Sequence, residues 1–138
     1  MSTDQKSAAT RMERSHDDPD ALHAQRPLYQ VKADFFKGLA HPLRIRVLEL
    51  LSSADERTVA ELLDETGLEP SHLSQHLAVL RRHRLVASER RGSLVHYRLV
   101  HRETAQLLVI ARALLLRIAD DERALQAAAR TLPALEVS

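Results

Sequence analysis

The chain has 138 residues and no cysteine, a length that suits one domain with tails and a composition that excludes disulfides and thiolate metal sites. No apolar run is long enough to span a membrane, and residues 1–20 lack the apolar core of an export signal, so the expected location is the cytoplasm. The 20 Lys and Arg nearly balance the 19 Asp and Glu, a net charge of +1 that does not by itself point to an anionic partner.

Residues 1–26 carry few large apolar side chains and no sustained period, which predicts a flexible tail. Within it His16, Asp20 and His23 are donor types suited to a transition metal, although such residues in a polar tail are more often simply solvated. Pro27 suits a helix start. Leu28, Val31, Phe35 and Leu39 then recur at spacings of three and four, which predicts a first amphipathic helix over residues 27–40. His41-Pro42 ends it, and Pro42 opens a second helix, rich in Leu, Ile and Val, that closes near Ser52-Ser53.

Thr58, with Glu61 three residues on, predicts a capped third helix. Gly67 stops it through the left-handed conformation. Pro70 starts a fourth, whose buried stripe is Leu73, Leu77 and Leu80. Two short helices joined through a glycine form a helix-turn-helix. Leu85-Val86-Ala87, a turn at Arg90-Arg91-Gly92-Ser93, and the alternation of Val95, Tyr97 and Leu99 predict a β-hairpin directly after it. Helix returns from His101 to about Asp120, with a helical continuation open from Asp121 to about Thr131, where Pro133 stops it. The expected fold is mainly α with a small β-hairpin, a winged helix-turn-helix over residues 27–120, followed by a partly helical extension over 121–138. The last helix carries more apolar surface than one small domain buries, which points to a subunit interface.

Charge is unevenly spread. Seven arginines and one acid, Glu89, lie between Arg81 and Arg102, a local balance of +6, whereas residues 27–80 hold five basic and eight acidic side chains. Such a stripe on a near-neutral chain is an electrostatic footprint for phosphate. With the leucine stripe of the fourth helix facing inward, Ser71, Gln75 and Arg82 point away from the core, flanked by His72 and Ser74. Gln75 suits a bidentate contact with adenine in the major groove. Arg81, Arg82 and Ser93 suit backbone phosphates, and Arg90 and Arg91 at the hairpin tip suit phosphate or a narrow minor groove. His76, nearer the stripe, reads as a packing residue.

Three stretches in order resemble the ArsR/SmtB family of bacterial repressors: Gly38-Leu39-Ala40-His41-Pro42-Leu43-Arg44-Ile45-Arg46-Val47-Leu48, the run from Glu69 to Leu80, and Gly92-Ser93-Leu94-Val95-His96-Tyr97-Arg98-Leu99. The resemblance covers about residues 28–118. It implies a homodimer that binds double-stranded DNA, joined through the first and last helices, here Leu28, Val31 and Phe35 with Leu107, Ile110, Ala111, Leu114 and Ile118. It also implies repression of transcription, relieved by an effector that the sequence does not identify. One departure is Arg84, where the family usually has glycine: the arginine must adopt a left-handed backbone or the helix must end differently.

A second departure concerns metal. The family's thiol site around the third helix falls on Arg57-Thr58-Val59-Ala60-Glu61-Leu62, without a donor thiol or imidazole. Its last-helix site falls on His101 and Glu103, which have donor atoms, and on Leu114 and Arg117, which do not complete a tetrahedral set. No metal site is expected there, so a metal-responsive repressor would have to sense through the His16/Asp20/His23 tail. No nucleophile motif, phosphate loop or histidine–carboxylate set argues for an enzyme. The competing reading is a winged-helix docking dimer without specific DNA binding, which would not need the +6 segment.

Overall fold

The computed structural model describes residues 26–131. The chain divides into two compact units, Met1–His41 and Pro42–Ser138. The first contains helix α1 (Leu28–Leu39), preceded by Pro27. Arg26 and Asp34 form an ion pair at 2.5 Å, and Phe35 and Phe36 meet edge to face with ring centroids 5.5 Å apart.

The second unit runs α2 (Pro42–Ser52), β1 (Arg57–Thr58), α3 (Val59–Thr66), α4 (Pro70–Arg82), β2 (Val86–Arg91), β3 (Leu94–Leu99) and α5 (Glu103–Thr131). Its core is the set of positions that the 3.6-residue period selects: Val47, Leu48, Leu50 and Leu51 of α2, Leu62 of α3, and Leu73, Leu77 and Leu80 of α4. Leu85, Val86 and Tyr97 add the base of the hairpin. The expected third helix begins at its cap. The Thr58 hydroxyl oxygen accepts from the Glu61 N–H at 3.2 Å, and the same hydroxyl donates to the Glu61 carboxylate at 3.0 Å. Gly67 ends the helix at φ 67°, its N–H donating to the Leu63 carbonyl.

Two features differ from the sequence expectation. The sheet has three antiparallel strands in the order β1-β3-β2, not two, because Arg57 and Thr58 pair with Tyr97 and His96. A two-residue strand carries no period to read. The hairpin turn is shorter than expected: Arg90 and Arg91 remain in register opposite Val95 and Leu94, leaving Gly92-Ser93 as the loop. Gly92 has φ +62°, the first-position glycine that a tight hairpin turn uses to match strand twist. The continuation past Asp120 that the sequence allowed is realised in α5. This is one helix of 29 residues, about 43 Å long at 1.5 Å per residue, because Ala, Leu, Arg, Glu and Gln through residue 130 all favour helix.

Arg84 takes the left-handed option. Its φ is +58°, and the chain turns there through paired backbone bonds, Arg84 N–H to the Arg81 carbonyl and Leu85 N–H to the Leu80 carbonyl, each at 3.0 Å. This is a Schellman ending, with Leu80 and Leu85 buried beneath it.

Candidate nucleic-acid interface

Helix α4 buries Leu73, Leu77 and Leu80 and exposes Ser71, His72, Ser74, Gln75, Ala78, Arg81 and Arg82. All the helix positions expected to meet DNA therefore lie on its solvent side, and His76 is half-buried. The Arg81 guanidinium donates to the Ser88 hydroxyl of β2 at 3.3 Å, tying the end of the helix to the wing.

Arg90, Arg91 and Ser93 are exposed too, but the two arginines are not equivalent. Successive strand residues point to opposite faces. Arg90 shares a face with Ser88, the residue that Arg81 reaches, and has no ion-pair partner among the described residues. Arg91 lies on the other face with Glu89 and His96, which pair across the strands. There it hydrogen-bonds the carboxylate of Glu56, from the segment before β1, and lies 3.9 Å from Glu89. The second Glu56 oxygen is 3.3 Å from His96 Nδ1. The hydrogen bond from Arg91, reinforced by its charge and that of His96, holds the Glu56 carboxyl below its ordinary value against a smaller effect of burial. The same bond pushes the Arg91 guanidinium further up.

Glu56 was not legible as a site residue. It sits 35 positions from Arg91, and only the pairing of β1 with β3 brings its segment to the wing.

The α5 helix exposes much of its expected stripe. Ile110, Leu114 and Ile118 are 64%, 57% and 44% exposed, joined by Val109, Leu115, Leu116 and Leu125, with Ala111 exposed and Leu107 half-buried. On α1, Leu28 is exposed while Val31 and Phe35 are half-buried. His101 and Glu103 are exposed at the start of α5, and among the described residues no three His, Asp or Glu side chains gather as a metal site would require. His16, Asp20 and His23 lie outside the described residues. Among the described residues no helix is long and apolar enough to cross a membrane. A cleft of about 390 Å³ opens in the second unit between the end of α2 and the start of α5, lined by Leu51, Ser53, Asp55, Leu99 and Arg102 among others.

Residues 41–88, spanning α2 to the middle of β2, match the model of the arsR family of bacterial regulatory proteins. Over 96 residues the chain is 52% identical to the uncharacterized HTH-type transcriptional regulator Rv0081 of Mycobacterium tuberculosis, covering 69% of this chain and 83% of that protein. The chain belongs to the ArsR family. The crystal structure of M. tuberculosis Rv0081 superposes with a TM-score of 0.66 at 49% identity, over 71% of this chain and 98% of that one. The transcriptional repressor BigR from Xylella fastidiosa does so with a TM-score of 0.58 at 31% identity, over 62% of this chain and 87% of BigR. This ArsR protein is thus a winged helix-turn-helix transcriptional regulator, in a family of regulators and not of enzymes.

Proposed function

We propose that this ArsR regulator is a cytoplasmic repressor that binds an inverted-repeat operator as a homodimer and is relieved by an effector. The observation that carries the reading is the solvent face of α4. A helix end bearing Ser71, His72, Ser74 and Gln75 on a buried leucine stripe fits the major groove. In this reading Gln75 reads a base, the serines and His72 contact bases or phosphates, Arg81, Arg82, Arg90 and Ser93 grip the backbone, and Arg91 flanks it.

Dimerisation is assigned to the first and last helices, through Leu28, Val31, Phe35, Leu107, Ile110, Ala111, Leu114 and Ile118. The exposed run on α5 supports this, since contiguous apolar surface of that extent marks an interface. DNA binding and dimerisation are assigned to residues 27–120, with 121–138 as a C-terminal extension. The cleft beside α5 offers room for a small effector.

Footprinting on the chain's own upstream DNA, combined with the stoichiometry of the shifted complex, tests the reading. The expected result is protection of two inverted half-sites about one helical turn apart, occupied by two protomers. A single unrepeated site bound by one protomer would overturn it.

A further inference from the structure

The Glu56–Arg91 contact bears on how tightly the wing can hold DNA. Glu56, Glu89 and Arg91 place two carboxylates around one guanidinium, and all three side chains are solvent-accessible. A guanidinium in that setting meets a nearby phosphate already neutralised. To bind the phosphate it must first leave Glu56, and the vacated carboxylate then repels the DNA backbone. Arg90, one residue away on the opposite face, has no such competitor among the described residues.

We propose that Glu56 is an internal competitor for DNA phosphate that keeps Arg91 from gripping the backbone, and so sets the wing's sequence-independent affinity. This rests on the DNA-binding reading above. Glu56 touches no base in it. Its removal therefore strengthens operator and random DNA alike, without changing their ratio.

The test uses full-length protein and a random-sequence duplex of about 30 base pairs, long enough for two half-sites, alongside the upstream fragment. Glu56→Gln keeps the shape and removes the charge. It is expected to tighten binding to both duplexes about two- to fivefold, the range of an exposed ion pair. The slope of log affinity against log salt should steepen by about 0.9 for each Arg91 released to a phosphate, about 1.8 for a dimer. In an Arg91→Ala background the same substitution should change affinity less than about twofold, and the slope not at all. A purely structural brace between the wing and the segment before β1 would weaken binding when removed. Unchanged or weaker binding by Glu56→Gln overturns the proposal, as does a gain that persists undiminished without Arg91. If folded wild-type protein binds neither duplex, the DNA-binding reading falls and this inference with it. If wild-type protein binds and Glu56→Gln does not differ from it, only the inference falls.

Discussion

Arg84→Gly should make the protein more stable. Arg84 occupies the left-handed position of the Schellman turn that ends α4, at φ +58°. A residue with a Cβ pays roughly 1–2 kcal/mol for that conformation. Glycine pays almost nothing there, but its freer unfolded chain returns about 0.5–1 kcal/mol. The difference is a gain of about 0.5–1 kcal/mol, or roughly 2–5 °C in Tm for a chain of this size. Arg84→Ala is the control: it removes the same guanidinium, which forms no ion pair among the described residues, and leaves the backbone strained. Urea and thermal unfolding of the three proteins should be compared at one protein concentration, because the stability of any self-associating protein depends on it. The expected order is Arg84→Gly above wild type, with Arg84→Ala within about 0.5 kcal/mol of wild type. If Arg84→Gly were no more stable than Arg84→Ala, the left-handed backbone would carry no cost and the reasoning would fail.

Gln75→Ala should lower the ratio of operator to random-DNA affinity by about 1–3 kcal/mol, measured by competition binding, whereas Arg90→Ala should weaken both duplexes alike. Leu114→Glu places a charge in the apolar run of α5, where each buried aliphatic side chain supplies roughly 1.5–3 kcal/mol; sedimentation should show monomers and gel shift should show loss of operator binding. The Glu56 carboxyl titrates below its ordinary value in the folded protein, so its pairing with Arg91 stabilises the fold above that ordinary value and is lost as pH falls through the folded one. The stability difference between wild type and Glu56→Gln, followed by thermal unfolding, should therefore disappear on acidification and persist at neutral pH.

The parts of this fold that were legible in the sequence are those set by local chemistry. The Thr58 cap, the Gly67 stop and the Leu73/Leu77/Leu80 stripe each follow from a few neighbouring residues, and each is found where the pattern puts it. Once that stripe faces inward, the exposure of Ser71, Ser74 and Gln75 follows from helix geometry. What was not legible depends on partners distant in sequence. Arg57-Thr58 is a strand only because β3 lies beside it. The hairpin turn shrinks to Gly92-Ser93 because cross-strand pairing extends through Arg91, which four consecutive turn-forming and polar residues do not reveal. The alternatives at Arg84 could be written down from the sequence, but choosing between them needed the burial of Leu80 and Leu85, which fixes the chain's exit from α4.

The same distinction changes what the basic segment is worth. Counted in the sequence, Arg81 to Arg102 offers seven cations. In the structure Arg81 is bonded to Ser88 and Arg91 to Glu56. Arg84 sits in the turn behind α4, Arg98 pairs opposite Ala87 towards the base of the hairpin, and Arg102 lines the cleft. Ser88 is neutral and leaves the Arg81 charge available, so Arg81, Arg82 and Arg90 remain as exposed cations beside the solvent face of α4. Three per protomer make six in the proposed dimer, and six neutralised phosphates give a salt slope of about −5.4. If Arg91 were also free to engage, eight phosphates would give about −7.2. Titrating binding to a random duplex from low to moderate salt separates the two. A slope near the shallower value is expected of wild-type protein, and one near the steeper value would mean that Arg91 abandons Glu56 whenever DNA is bound.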